Sequence, residues 1–256
     1  MERDLSKPSG TAEAFSRTER LLGPDAMARL ARARIAVFGV GGVGGFAVEA
    51  LARSGVGAFE LVDPDRVCLS NLNRQILATR DTIGAYKVDV AADRIRSINP
   101  CAEVAGHRLF FLPESESPFD FAACDYVIDA VDTVRAKVEI VLRARAAGVP
   151  AISSMGAGNK LDPCGFVCTD LAKTSVCPLA RVMRKELGKR GIRHLDVVWS
   201  RETPVVPRAA GDGESVRSGS GRPVPGSIAF VPSVAGLVLA GAVVRKLTEN
   251  VRKCKG

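Results

Sequence analysis

Arg34-Ile35-Ala36-Val37-Phe38-Gly39-Val40-Gly41-Gly42-Val43-Gly44 is a short apolar run that stops at a glycine-rich loop. Such a run, ended by glycine, reads as a buried strand feeding a phosphate loop. The next residues, Gly45 to Ser54, predict a helix with Phe46, Val48, Ala50 and Leu51 available for packing. Strand, loop and helix in this order let backbone N–H groups approach a phosphate at the positive end of the helix.

Working outward, a second strand is expected over 58–62, ending in Asp63-Pro64-Asp65. A polar loop over 66–80 and a helix over 86–98 follow. Further strands are expected over 104–111, 126–130 and 149–153, with a helix through Ala147 between the last two. Upstream, residues 13–33 read as helical segments interrupted at Gly23-Pro24. Strands alternating with helices predict an α/β fold, a Rossmann-like, doubly wound and mostly parallel sheet with a C-terminal extension. Residues 1–12 are polar and predict a disordered N-terminus, and 13–256 a single domain. After residue 155 the pattern loosens: 197–199 reads as a strand, and 202–227, rich in Pro, Gly, Ser and Arg, as a mobile loop. A last helix is expected over 234–251, with a basic tail after it.

Composition narrows the class. Apolar residues make up 46% and aromatics 5%, so Val, Ala, Leu and Ile carry the core, as in a sheet covered on both faces. The net charge of +8 suits a polyanionic partner, nucleotide phosphates or RNA. The modest basic clusters lie at Arg181 to Arg193 and Arg245 to Lys255, and the former, with the Arg-rich loop 201–222, is the candidate RNA surface. Seven cysteines (68, 101, 124, 164, 168, 177, 254) contain no Cys-x-x-Cys pair. The first thirty residues carry no apolar run, so reduced thiols and a cytoplasmic location are expected. The longest apolar stretch, 228–244, is interrupted by Pro232, Gly236 and Gly241 and reads as a buried helix rather than a stable membrane span.

The loop glycines Gly39, Gly41, Gly42 and Gly44 do not by themselves say which nucleotide binds, since dinucleotide dehydrogenases share the pattern. Asp63, at the end of the second strand, stands where an acid would bind a ribose hydroxyl of either NAD or ATP. The next segment separates the two. Asp65, Asn71, Arg74, Gln75 and Lys87 gather cations and amides beside the loop. The pyrophosphate of NAD needs little beyond the helix end, whereas a triphosphate under cleavage accumulates charge that fixed Arg and Lys groups stabilise. Asp132, just past the fourth strand, is placed to hold Mg²⁺ through water. Each residue alone reads as a loop cap or a surface charge; their order along one chain argues for chemistry.

The glycine loop, Asp63-x-Asp65, Ser70-Asn71-Leu72-Asn73-Arg74-Gln75, Lys87 and Asp132 resemble the ubiquitin-activating enzyme superfamily, with its bacterial ThiF- and MoeB-like adenylating enzymes. The resemblance implies attack of a carboxylate on the α-phosphate of ATP, giving an acyl-adenylate and pyrophosphate. By the same resemblance Asp63 is the ribose ligand, Asn71, Arg74 and Lys87 are phosphate ligands, and Asp132 is the magnesium-linked acid. Arg17, with Arg20 as a rival, resembles the arginine that such homodimers extend to the partner's ATP. Sulfur-carrier activators of this group usually carry two Cys-x-x-Cys pairs for zinc; here Cys164-x-x-x-Cys168 stands alone. The stretches 50–57, 127–132, 156–158, 169–174 and 198–202 resemble instead the tRNA threonylcarbamoyladenosine dehydratases.

That branch implies ATP-dependent cyclisation of threonylcarbamoyladenosine beside the tRNA anticodon. It implies ATP and Mg²⁺ as cofactors and admits a structural monovalent cation and a sulfur-relay protein. The alternative within the superfamily is adenylation of a ubiquitin-like sulfur carrier's C-terminal carboxylate; a non-catalytic NAD-binding protein is the alternative outside it. Ring closure on an adenylate needs no covalent enzyme intermediate, so Cys177, ahead of Pro178 and a basic helix, is expected to pack rather than to attack. His107 and His194 are expected to be structural.

Overall fold

The computed structural model describes residues 13–206 and 224–253. The expected disordered 1–12 lies outside the described residues, as does most of the expected mobile loop 202–227. In chain order the main elements are α1 (Ser16–Leu22), α2 (Pro24–Ala31), β1 (Arg34–Phe38), α3 (Gly44–Arg53), β2 (Ala58–Val62), α4 (Lys87–Ile98) and β3 (Glu103–His107). There follow β4 (Tyr126–Asp129), α5 (Val134–Ala146), β5 (Ala151–Ser154), β6 (Phe166–Asp170), α6 (Pro178–Gly188), β7 (Asp196–Ser200) and α7 (Phe230–Lys253).

The strands form one sheet in the order β3-β2-β1-β4-β5-β7-β6, parallel except for β6, which runs antiparallel to β7. Ile35 pairs with Phe59 of β2 on one side and with Tyr126 of β4 on the other. The connections therefore reverse direction between β1 and β4, and a crevice opens there at the carboxyl ends of the strands. This is the expected doubly wound sheet.

Strand β1 shows why both faces are buried. Ile35 and Val37 point to a core built with Val48 and Leu51 of α3, Val88, Ala91 and Ile95 of α4 and a stripe of α7. Ala36 and Phe38 point to the opposite side, against Ile140 and Ala144 of α5. The few aromatics are concentrated there, with ring centroids of Phe38 and Phe111 4.8 Å apart and of Phe38 and Phe121 5.6 Å apart. A third cluster joins α5, α6, β5 and β7 through Met183, Val197 and Trp199.

Three elements differ from expectation. Strand β3 stops at His107, because the chain turns (the Leu109 N–H donates to the His107 carbonyl) and sends Phe111 into the aromatic cluster. The antiparallel edge strand β6 was not foreseen; five residues behind a tight turn at Pro163–Gly165 show no readable alternation. Helix α7 begins at Phe230, four residues early, because Pro232 falls in its first turn, where an N–H has no helical partner to lose.

Among the described residues α7 is the one helix long and apolar enough to cross a membrane by length and composition. Its stripe Val231, Ala235, Leu239 and Val243, however, is fully buried against α3 and the sheet. The contact is closest at Gly236, where a Cβ would lie 2.3 Å from the Val43 carbonyl oxygen and 2.9 Å from Phe46 Cβ. Gly236→Ala must therefore push α7 off the helix that follows the glycine loop. The expected cost is about 1–3 kcal/mol, read as a lowered midpoint in denaturant; an unchanged midpoint would show that the helices separate freely.

Candidate active site

The glycine loop connects β1 to α3 and folds back over the crevice. Gly39 has φ of 84° and lies so close to the chain after β4 that a Cβ would sit 2.8 Å from the Ala130 carbonyl oxygen. Only glycine satisfies both conditions. The loop is thereby set directly beside residues 130–132.

Asp63 ends β2 and is 5% exposed. Its Oδ2 accepts the Val40 N–H at 2.7 Å and its Oδ1 accepts the Asp65 N–H at 2.9 Å, so the carboxylate fixes both the phosphate loop and its own turn. Burial pushes the Asp63 carboxyl above its ordinary value, while the Lys87 ammonium and the two N–H donors pull it down without cancelling that push. Each oxygen keeps a further lone pair for a ribose hydroxyl.

Lys87, the first residue of α4, is 5% exposed and donates to Asp65 Oδ2 at 2.6 Å, with Asp63 Oδ1 at 3.8 Å. The two carboxylates store the lysine charge beside the crevice. Arg74 donates through Nη1 to the Ser70 carbonyl at 2.9 Å and to Asn73 Oδ1 at 3.0 Å. Its stem crosses the glycine loop, since a side chain at Gly42 would meet Arg74 Cγ at 3.6 Å. Gln75 lies along the same loop, with Nε2 3.7 Å from where a Gly41 side chain would begin and its buried Oε1 without a protein partner. Asn71 is buried; its Oδ1 accepts the Cys68 N–H at 3.2 Å and braces the turn carrying Arg74.

Asp132 is exposed just past β4, its Oδ1 accepting from Thr133 Oγ1 at 3.3 Å. Among the described residues no group of three or more His, Cys, Asp or Glu side chains could hold a metal. A lone exposed carboxylate at the crevice suits Mg²⁺, which takes one or two carboxylates and completes its shell with substrate phosphates and water.

Sequence reasoning missed the support beneath Asp132. Lys137 of α5 and Asp129 of β4 are both fully buried and paired at 3.0 Å. Ser153 Oγ donates to Asp129 Oδ2, and Lys137 Nζ also donates to the Val131 carbonyl at 2.9 Å. The signal was present: Lys137 interrupts the stripe Ile140, Val141, Ala144 of α5, and a charge on an apolar face demands a buried partner.

Not every expected residue reaches the crevice. Arg17 lies exposed on α1, and Phe15, two residues earlier, packs beside Gly55, at the far end of α3 from the glycine loop. Ten helical residues, roughly 15 Å, separate the two ends. Cys177 is 4% exposed among Met183, Leu187 and Trp199, at the N-cap of α6 and within electrostatic reach of Lys160. His107 binds Glu60 and His194 binds Asp170, as structural residues do. Cys164 and Cys168 are exposed and free.

The ThiF family pattern matches residues 15–255. The chain belongs to the ThiF family. Among ThiF relatives it is 44% identical to the tRNA threonylcarbamoyladenosine dehydratase of Bacillus subtilis, over 93% of this chain and 95% of that one. The Escherichia coli dehydratase solved in complex with ATP superposes with a TM-score of 0.81 at 35% identity, covering 96% of this chain and 97% of that one. The same enzyme in complex with AMP gives 0.83 at 34% identity, covering 98% and 100%.

Proposed function

We infer that this ThiF-family chain is an ATP-dependent tRNA threonylcarbamoyladenosine dehydratase, and that residues 13–253 act as one adenylating unit. The observation that carries the assignment of roles is the convergence of Asp63, Arg74 and Lys87 on one glycine loop, with Asp132 across the crevice. The match to the Bacillus subtilis dehydratase over 93% of this chain, and to the Escherichia coli one over 78%, supports the substrate.

In this reading the glycine-loop N–H groups and the start of α3 hold phosphate, and Asp63 holds the ribose. The threonyl carboxylate of the modified adenosine attacks the α-phosphorus, and the bond to the pyrophosphate oxygen breaks. Arg74 and Lys87 stabilise the charge that develops on the phosphates; Lys87 exchanges its hold on Asp65 for a phosphate oxygen. Asp132 would hold Mg²⁺, which supplies charge neutralisation on the phosphates. An internal nitrogen or oxygen of the threonylcarbamoyl group then closes a five-membered ring, and the former carboxylate oxygen leaves on AMP. The balance is one water lost from the nucleoside while ATP becomes AMP and pyrophosphate. The chain positions the reacting groups, and no enzyme nucleophile is needed.

Two further parts belong to the proposal. Arg17 lies remote from its own loop, which suits a homodimer in which it reaches the partner's ATP. Arg181, Lys185 and Arg193 are exposed and make no ion pair among the described residues, which suits a tRNA phosphate surface.

Mass spectrometry of nucleosides from tRNA incubated with the protein, ATP and Mg²⁺ tests the whole reading. The modified adenosine should lose one water, and removal of Mg²⁺ with chelator should abolish the loss. ATP–pyrophosphate exchange driven by a ubiquitin-like carrier, and not by modified tRNA, would replace this reading with the sulfur-carrier one.

A further inference from the structure

A second recess lies along the carboxyl edge, between β6, β7 and the turn leading into α6. It has a volume of about 470 Å³, and its polar lining is Thr169, Lys173, Ser175, Trp199 and Arg201, with no carboxylate among its lining residues. Three features of it are unexplained by the adenylation site. Trp199 is 4% exposed, and its indole N–H has no acceptor among the described residues. A buried donor without a partner is costly, and native sites that keep one usually have a ligand or water for it. Lys173 and Arg201 are exposed and make no salt bridge or side-chain hydrogen bond among the described residues.

By contrast, exposed Arg108, Arg135 and Arg190 are each paired with a carboxylate. Asp170, whose carboxylate feels the Lys173 charge, already accepts from His194 Nδ1 at 2.9 Å and from the Ala172 N–H at 2.7 Å. Ser175 is held beside these cations by Val176, whose φ of 41° is disfavoured for a β-branched residue. Strain of this kind persists where the surroundings enforce it, commonly at ligand sites.

An indole N–H, a hydroxyl, an ammonium and a guanidinium, in a recess lined by no carboxylate, make a site for a phosphate oxyanion. Strand spacing fixes its position. Trp199 is the penultimate residue of β7, two strands from β4 and Asp132, or roughly 10 Å at about 4.8 Å per strand. That separation suits a backbone phosphate a few nucleotides from a base held at the crevice. We propose that Lys173, Ser175, Trp199 and Arg201 form a subsite for a backbone phosphate of the tRNA substrate, distinct from the phosphate-binding glycine loop. The proposal rests on the tRNA reading above.

Trp199 is the chain's one tryptophan, so its emission reports on this recess. The experiment titrates wild-type protein and three variants with tRNA carrying threonylcarbamoyladenosine, without ATP, at several salt concentrations. Lys173→Gln/Arg201→Gln should lower the slope of log affinity against log salt by about 1. It should also remove the tRNA-induced change in Trp199 emission. Trp199→Phe keeps one aromatic ring in its cluster and loses the N–H together with the rest of the indole's five-membered ring. It should bind about threefold to tenfold more weakly at an unchanged slope, with binding read well below a melting midpoint that the smaller ring lowers. Arg32→Gln, a charge loss at the amino edge ahead of β1, should bind as wild type does.

ATP affinity should be unchanged throughout. A wild-type slope in the double glutamine variant, or Trp199 emission unmoved by tRNA, would overturn the subsite while leaving dehydration by the wild type intact. Inorganic phosphate that quenches Trp199 while neither substitution weakens tRNA binding would assign the recess to free phosphate and overturn the RNA proposal. Wild-type protein that neither binds nor dehydrates the tRNA would instead overturn the functional reading, and the subsite with it.

Discussion

Arg74→Ala should lower ATP-dependent dehydration by about 10²- to 10³-fold with little change in thermal stability, because in the proposed role its guanidinium meets negative charge that grows on the phosphates in the transition state. The side chain is half-buried, and the protein uses one nitrogen, Nη1, to fix its turn through the Ser70 carbonyl and Asn73 Oδ1. A guanidinium has five donors, so those left over can meet phosphate oxygens while the turn stays in place. Two neutral-acceptor hydrogen bonds at the surface are worth about 1 kcal/mol each at most, so alanine removes little from the fold. The kinetic split is the test: kcat and kcat/KM fall together if the interaction strengthens in the transition state, and KM alone rises if it is uniform binding. Arg74→Lys should recover only part of the rate, since an ammonium cannot hold the turn and two phosphate oxygens in one plane. A variant with wild-type turnover would remove Arg74 from the machinery.

The central sheet was legible in the sequence because its signals are local. Apolar runs 34–38 and 58–62 stop at Gly39 and Asp63, 126–130 reaches Asp132 two residues on, and a parallel strand buried on both faces has little other way to be written. The glycine loop and the acids at strand ends follow from the same punctuation. What stayed hidden depends on contacts between distant segments. Strand β6 exists because it can pair with β7, thirty residues later, and its five residues carry no pattern of their own. Phe111 looks like strand by composition and is drawn out of it by Phe38, more than seventy positions away.

The site divides in the same way. Asp63, Arg74 and Lys87 were identifiable by type and order, yet the storage of Lys87 between Asp63 and Asp65 is a product of the folded chain. Cys177 is buried among Met183 and Leu187, a placement that its sequence neighbours alone do not reveal. The orphaned indole of Trp199 has no sequence signature at all, because it is defined by the absence of an acceptor around it.

Lys137→Met is expected to be the most damaging single change to stability. Both partners of the Lys137–Asp129 pair are fully buried. Removing the ammonium leaves a carboxylate out of water, with only Ser153 Oγ and the Val131 N–H, at 3.2 Å, to support it. Stranding one charge of a buried pair typically costs about 3–5 kcal/mol. For a chain of this size that should lower the melting midpoint by roughly 10 °C. The loss is a property of the pair, so adding Asp129→Asn should return part of it by removing the bare charge. A double variant whose losses simply add would show that the two residues act independently. A functional readout separates this from general destabilisation. Lys137 Nζ also holds the Val131 carbonyl, one residue before Asp132, and the Asp129 carboxylate accepts the Val131 N–H. Lys137→Met should therefore weaken ATP binding well below the melting transition, where the protein is still folded. Lys137→Arg should be no substitute, because the guanidinium is larger than a cavity shaped to an ammonium between two strands. Unimpaired ATP affinity in folded Lys137→Met would confine the pair to the core and detach it from the positioning of Asp132.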